Sequence, residues 1–150
     1  PRLEHLSLMN VFIGDAGLVA LAPALRRLPA LKTLHLGGNP CGDEGLAALV
    51  APPPPADALL PPTAGLTKLR ALGLVYTYVT DAGCAILAAA LDNGALPALM
   101  LAVVLWSNAS AVARAVVQEA LDKLESRRAD LADLVRSLRR WRGCLPGRQS

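Results

Sequence analysis

Pro1-Arg2-Leu3-Glu4-His5-Leu6-Ser7-Leu8, Pro29-Ala30-Leu31-Lys32-Thr33-Leu34-His35-Leu36 and Leu69-Arg70-Ala71-Leu72-Gly73-Leu74 share the pattern Leu-x-x-Leu-x-Leu. Their first leucines are separated by 28 and then 38 residues. Each stretch is followed by a short turn, an Asp-x-Gly sequence and an apolar segment with helical spacing. A pattern that returns with this period predicts a solenoid, in which each unit buries its apolar face only against its neighbours.

Each unit is predicted to contain a strand, a turn and a helix. In the first unit, Leu6 and Leu8 alternate with His5 and Ser7, which is the spacing of a strand with one buried side. The apolar residues that follow the Asp-x-Gly sequence return every three or four positions, as on one face of a helix.

A fourth unit starts more weakly at Leu99. Ala111 and Ala113 replace the Asp and Gly of the other units, whereas the helical spacing of apolar residues is kept. Atypical terminal repeats are a common way to end such an array, so we expect the repeats to occupy residues 1–125, with units starting near residues 3, 31, 69 and 99. The chain has no initiating Met and opens in phase with the repeat, so we expect it to be a piece of a longer protein.

The second unit contains the most complete motif, Leu31-x-x-Leu34-x-Leu36-x-x-Asn39 followed by Cys41-Gly42-Asp43-Glu44-Gly45-Leu46. Its second half returns as Ile13-Gly14-Asp15-Ala16-Gly17-Leu18 and as Val79-Thr80-Asp81-Ala82-Gly83-Cys84. The chain therefore resembles the ribonuclease-inhibitor-like class of the leucine-rich repeat family. The resemblance implies an α/β solenoid with a curved parallel sheet on the concave side and helices on the convex side.

The resemblance also implies a ladder of Asn side chains before the turns. Only Asn39 is present, with Val11 and Thr77 in its place elsewhere, so we expect an incomplete ladder. Family roles include enzyme inhibition, regulation of small GTPases and sensing within immune-type receptors, and no residue here selects among them.

Residues 51–65 form a proline-rich insertion in the second unit. Four consecutive prolines exclude a helix and favour an extended polyproline II segment. Two interpretations are open, a docking site for a proline-recognising domain and a tolerated surface insertion, and the second is the commoner outcome in repeat proteins.

Several residues that resemble catalytic or metal-binding groups have structural interpretations. Asp15, Asp43 and Asp81 recur with the repeat, which predicts caps on their own helices. His5 and His35 are predicted to lie diagonally on neighbouring strands, roughly 7–8 Å apart, without a third metal ligand. The sequence therefore predicts a protein that is not an enzyme and has no catalytic residues, cofactor or metal.

The three cysteines are predicted to be reduced rather than paired. Cys41 and Cys84 fall at interior positions of the repeat, and an odd count does not suit a disulfide framework. This pattern indicates a cytoplasmic protein.

The concave face is the predicted binding surface for a protein partner. Its outward residues change from polar to apolar toward the C-terminus, and exposed apolar patches often mark contact sites. We expect it to belong to a longer regulatory or scaffold protein, with a protein partner whose identity the sequence leaves open. The predicted contact residues are His5, Ser7, Met9, Thr33, His35, Val75, Tyr76, Leu101, Val103, Leu105 and Trp106, with the alternative that the C-terminal segment covers Leu105 and Trp106.

Residues 126–142 are predicted to form a basic amphipathic helical arm, followed by a disordered tail at 143–150. Residues 1–110 carry a net charge of −1 and residues 111–150 a net charge of +4. The alternative function is a spacer whose Arg-rich arm attaches to an anionic membrane or an acidic partner. A solvated helix face packed on the last repeat is the commoner case, and nucleic acid is not expected because the basic patch is small and lacks interleaved aromatic residues beyond Trp141. The arm residues are Arg136, Arg139, Arg140 and Arg142.

Overall fold

The structure, a computed structural model, describes residues 2–51, 65–104 and 107–143. Strands and helices alternate along the chain, and the four strands form one parallel sheet in the order β1-β2-β3-β4. Each helix packs on the next one. The predicted α/β solenoid is confirmed, with the elements β1 (His5–Ser7), α1 (Asp15–Leu25), β2 (Thr33–His35), α2 (Asp43–Val50), β3 (Ala71–Gly73), α3 (Asp81–Asp92), β4 (Leu101–Val103) and α4 (Ala111–Gly143).

The strand register aligns equivalent positions of all four units. His5 lies opposite Thr33, and Ser7 lies opposite His35, which is the diagonal arrangement of the two histidines that the sequence predicts. The register continues through β3 and β4 without a shift. The same face of every unit therefore points to the same side of the sheet.

The core is a stack of leucines. The three motif leucines are fully buried in the second unit (Leu31, Leu34, Leu36) and in the third (Leu69, Leu72, Leu74). In the first unit Leu3 is 41% exposed, and Leu6 and Leu8 are half-buried. The difference follows from the stacking, because an outer unit has a neighbour on one side only.

The repeated aspartates cap the next helix rather than their own. Asp15 Oδ1 accepts the backbone N–H groups of Gly42 and Gly45, both at 2.8 Å. Asp43 accepts the backbone N–H of Thr80 at 2.8 Å and its hydroxyl. Asp81 likewise accepts the backbone N–H and the hydroxyl of Ser110.

The predicted capping of each aspartate's own helix is therefore wrong. These residues are the first residues of α1, α2 and α3, so their backbone is already helical and their carboxylates do not fold back onto their own free N–H groups. The carboxylates reach the following unit, where they meet N–H groups of the next helix start. We call this row of contacts the Asp ladder, formed by Asp15, Asp43 and Asp81.

The glycines of the Asp-x-Gly sequences leave room for the Asp ladder. A Cβ atom on Gly45 would lie 2.9 Å from Asp15 Oδ1 and 3.0 Å from Leu18 Cβ. A Cβ atom on Gly83 would overlap the carboxylate of Asp43. In the fourth unit, where Ala113 stands at this position, Ser110 Oγ accepts the Ala113 N–H at 3.2 Å instead.

Asn39 joins the first and second units on the opposite side of the turn. Its Oδ1 accepts the N–H groups of Val11 and Ile13, and its Nδ2 donates to the carbonyl oxygens of Leu8 and Leu36. The equivalent Thr77 and Ser107 donate to a carbonyl within their own unit, at 2.8 Å in each, and Ser107 Oγ also accepts the Ala109 N–H at 3.4 Å. The ladder is incomplete, as expected from the sequence.

Helix α4 continues without a break from the fourth unit to Gly143. Among its residues up to 136, whose side chains the structure describes, the last buried one is Leu124, and the guanidinium of Arg128 then donates to the carbonyl oxygens of Pro97 and Leu99. The proline-rich residues 52–64 and the tail residues 144–150 lie outside the described part of the chain. None of the described helices is both long enough and apolar enough to span a bilayer.

We expect Gly45→Ala to destabilise the fold by about 1–3 kcal/mol, because the new methyl group collides with Asp15 and Leu18. In an exposed helix this change would stabilise by up to about 1 kcal/mol, so the sign of the effect is diagnostic. Urea unfolding measures it. Gly14→Ala is the matched control, since a Cβ atom there meets nothing within 4 Å. Equal stability of the two variants would contradict the role assigned to Gly45.

The Asp81 carboxyl should titrate below the ordinary range of an aspartate. The backbone N–H of Ser110, followed by its hydroxyl, lowers the pKa of Asp81. A depressed pKa in the folded state means that this contribution to stability is present above the unfolded pKa and is lost as the pH falls through the folded pKa. A carboxyl-carbon NMR titration tests this. Ser110→Ala should bring the midpoint back toward the ordinary value, and an unshifted midpoint in the unmodified chain would refute the contact.

Candidate functional site

The sheet face opposite the helices brings the predicted contact residues together. His5, Ser7 and His35 are exposed and Thr33 is half-buried, and all four lie on β1 and β2. The remaining described residues of the set are Met9, Val75, Tyr76, Leu101 and Val103, of which Val75 and Val103 are half-buried and the others are exposed. We call these nine residues the concave face. Leu105 and Trp106 lie outside the described residues.

Two glycines let side chains of one strand lean over the next strand. A Cβ atom on Gly73 would lie 2.6 Å from Nδ1 of His35, so the imidazole occupies the space beside β3. A Cβ atom on Gly37 would lie 3.4 Å from the terminal methyl carbon of Met9. On this half of the concave face, the side chain of His35 therefore lies over the backbone of Gly73, and the side chain of Met9 lies over the backbone of Gly37.

Tyr76 has an unusual backbone conformation. Its φ of +55° is left-handed, and so are the φ angles of Asn10 and Gly38 at the equivalent positions of the earlier units, +55° and +70°. Asn and Gly tolerate this region, whereas a tyrosine there is strained by about 1 kcal/mol or more. The Tyr76 side chain is 62% exposed, so burial in the core does not explain why a tyrosine stands at this position.

The candidate catalytic residues are structural. Among the described residues, no group of three His, Cys, Asp or Glu side chains is arranged to hold a metal ion. Burial raises the pKa of the Cys41 thiol, and the Asp15 charge raises it further. Burial also raises the pKa of Cys84, followed by the charges of Asp81 and Asp43. Thiols in such surroundings are poor nucleophiles.

An open groove of about 410 Å³ lies between β4 and α4. Its lining includes Leu101, Val103, Val117 and Gln118, with Arg114 as the single charged side chain among the described lining residues. The groove extends the apolar half of the concave face to the edge of the sheet and provides no acid or nucleophile for chemistry.

The sequence prediction omitted the charged residues that directly precede the strands. Glu4 forms an ion pair with Lys32 at 2.7 Å. Lys68 and Arg70 precede β3 in the sequence, and both side chains are exposed. The available signal was their position, because Glu4, Lys32 and Arg70 each directly follow the first leucine of a unit. Met100, also omitted, occupies the same position in the fourth unit and is 65% exposed.

The arm exposes apolar and basic groups together. Leu131, Leu134 and Val135 are all exposed on α4, and Arg136 is ion-paired with Asp133. The side chains of Arg139, Arg140 and Arg142 lie outside the described part of the structure.

Comparisons with known proteins agree with the repeat pattern. The family model described as Leucine Rich repeat matches residues 28–50. Ribonuclease inhibitor of Sus scrofa is 40% identical over 90 residues, which are 60% of this chain and 18% of that protein. Ribonuclease inhibitor of Mus musculus is 37% identical over the same shares. The chain thus spans less than a fifth of the length of these curated relatives.

A solved structure shares the fold. Leiomodin-1 Actin-Binding Site 2 aligns with a TM-score of 0.57 and 17% identity, over 91% of this chain and 90% of that one. The tropomodulin C-terminal domain of Caenorhabditis elegans aligns with a TM-score of 0.49 and 17% identity, over 88% and 89% of the two chains.

We expect Cys41 and Cys84 to react slowly with a thiol reagent in the folded protein at neutral pH. Both thiols are buried and have raised pKa values, so little thiolate is available. The same chain unfolded in urea provides the reference rate. Folded-state modification of both thiols at the unfolded rate would contradict their placement in the core.

Proposed function

We propose that this chain, a leucine-rich-repeat solenoid of the ribonuclease-inhibitor-like class, is a non-enzymatic module that binds a protein partner through its concave face. In this proposal the module is part of a longer regulatory or scaffold protein. The names of its relatives describe protein recognition, since one is an inhibitor of an enzyme and another is an actin-binding site.

The strained Tyr76 is the observation that carries the proposal. Strained backbone in folded proteins is concentrated at functional sites, where the surrounding structure maintains it. Large amphipathic side chains such as tyrosine dominate many binding interfaces because they bury much area with few rotatable bonds. Tyr76 stands at a position that favours glycine or asparagine, and the 62% exposure of its side chain suits contact with a partner.

The apolar half of the concave face supports the same function. Leu101 is 53% exposed, and Val75 and Val103 lie beside it at half burial. Together with the groove along β4, these side chains form a patch of the kind that protein partners cover. Solvent-exposed histidine and hydroxyl groups at the other end supply hydrogen-bonding groups for orientation.

We also propose that the module acts in the cytoplasm. Cys41 and Cys84 are both unpaired and buried, which suits a reducing compartment. Neither thiol is placed to form a bond with a partner.

The exposed arm favours a second candidate function. Leu131, Leu134 and Val135 continue along α4 beyond its last buried residue, and basic side chains accompany them. An Arg-rich amphipathic helix of this kind would attach the chain to an anionic membrane or to an acidic partner, with the repeats as a spacer.

Tyr76→Asn should weaken partner binding while raising stability. Asparagine tolerates the left-handed backbone, so we expect the free energy of unfolding to rise by about 0.5–1 kcal/mol. Partner proteins captured from a cytosolic extract on the immobilised chain should be lost with this variant and with Leu101→Ser. Val112→Ser, which changes a 76% exposed valine on α4, is the matched control and should retain them. Unchanged capture by both concave-face variants would refute the proposal.

The arm is tested by Leu131→Ser combined with Leu134→Ser. Concave-face binding should persist in this variant, because none of the nine residues of the concave face lies on α4. Binding that ignores Tyr76→Asn, disappears at high salt and is lost with the arm variant would transfer the function to α4.

A further inference from the structure

The charges of residues 1–110 are distributed unevenly between the side of the sheet where the strands begin and the side where they end. The acids in the first turns of the helices lie at the edge where the strands end, whereas the bases lie in the segments that precede the strands. The acids at the ends of the strands are Asp15, Asp43, Glu44 and Asp81, whereas all six bases, Arg2, Arg26, Arg27, Lys32, Lys68 and Arg70, lie at the other side, together with the acids Glu4 and Asp92.

The two edges differ in how their charges are used. Three of the acids form the Asp ladder and accept hydrogen bonds from backbone N–H groups of the next unit. Of the bases at the other edge, Lys32 is paired with Glu4, and no carboxylate of the described residues forms an ion pair with Lys68 or Arg70. We call Lys32, Lys68 and Arg70 the basic rim.

The basic rim adjoins the first positions of the concave face. The backbone N–H of Lys32 donates to the Glu4 carbonyl, and the backbone N–H of Arg70 donates to the Lys32 carbonyl, both at 2.7 Å. These residues therefore lie side by side, each directly before its strand. The hydrogen bond from Lys32 chiefly lowers the pKa of Glu4, and the charges of Lys32 and Lys68 lower it further. Lys32 and Lys68 therefore both lie close enough to act on the Glu4 carboxylate.

No acid occupies the concave face itself. Two of its nine residues are histidines, and the other seven have uncharged side chains. The neighbouring Glu4 is paired with Lys32. Exposed cations without a carboxylate partner among the described residues, such as Lys68 and Arg70, attract and orient partners of the opposite sign. The side chains at the far end of the same face, Val75, Leu101 and Val103, are apolar.

Interaction with a helix dipole does not explain the positions of Lys68 and Arg70 in the basic rim. Arg26 and Arg27 directly follow α1, where cations complement the negative end of the helix dipole. Lys68 and Arg70 follow the last residue of α2 by 18 and 20 residues and lie at the start of β3 instead. Their charges are directed at solvent beside the concave face.

We infer that the concave face recognises an acidic protein segment, one that carries clustered Asp or Glu side chains next to an apolar side chain. The carboxylates contact Lys68 and Arg70, and the apolar side chain lies against Leu101 and Val103. This inference rests on the proposed function and adds the chemistry of the partner. A nucleic acid is disfavoured because three rim cations offer few phosphate contacts and the adjoining half of the face is apolar.

Selection of random peptides displayed on phage against the immobilised 150-residue chain tests the inference. We expect the enriched peptides to combine acidic residues with a neighbouring apolar residue. Lys68→Glu combined with Arg70→Glu should weaken their binding about tenfold or more at low salt, because attraction is replaced by repulsion. Arg127→Glu combined with Arg136→Glu makes the same change of charge on α4 and should weaken it less than about twofold.

The side chains changed in these variants are exposed, so we expect the fold to be retained, and thermal unfolding followed by circular dichroism checks this. Peptides that depend on Leu101 and Tyr76, lack an excess of acids and ignore the rim variant would overturn the inference and leave the proposed function intact. Peptides that ignore every concave-face variant would overturn both. Acidic peptides displaced equally well by single-stranded DNA or by phosphatidylserine vesicles would overturn the assignment to a protein segment.

Discussion

The contact between an aspartate carboxylate and the backbone N–H groups of the next unit is the interaction on which this solenoid depends. A strand of three residues and a helix of 8 to 12 residues form no stable unit alone, so the repeats must be held in a fixed relation to one another. The Asp ladder provides that relation at the helix starts and satisfies N–H groups that a helix leaves unpaired. The Asp-x-Gly spacing follows from it, because Gly45 and Gly83 leave room for the carboxylates.

The same interaction shapes the charge of the binding surface. The aspartates at the ends of the strands are used for stacking, and their carboxylates are hydrogen-bonded to backbone N–H groups of the next unit. Lys68 and Arg70 at the other edge have no comparable internal role, and the concave face between the edges carries no acid. A scaffold that uses its acids internally and leaves its bases at the surface favours acidic partners without any change in the fold.

Stability and function oppose each other at Tyr76. The turns after β1, β2 and β3 place a left-handed residue at the same position, where Asn10 and Gly38 adopt this conformation with little strain. The third unit places a tyrosine there and exposes its side chain beside the apolar half of the concave face. The buried leucines of the same unit, Leu69, Leu72 and Leu74, supply the packing that keeps this strained turn in place.

The sequence by itself determined the repeat, the strands and helices, the buried leucines and the outward residues of the sheet, because each follows from local backbone periodicity. It also predicted the broken Asn ladder, since Thr77 and Val11 lack an amide group. The tertiary structure decided which N–H groups Asp15 and Asp43 satisfy, since the partners lie 27 and 37 residues away along the chain. It likewise decided the left-handed turn at Tyr76 and the uneven distribution of charge between the two sides of the sheet. Those features depend on which residues of different units become neighbours, and local spacing does not specify that relation.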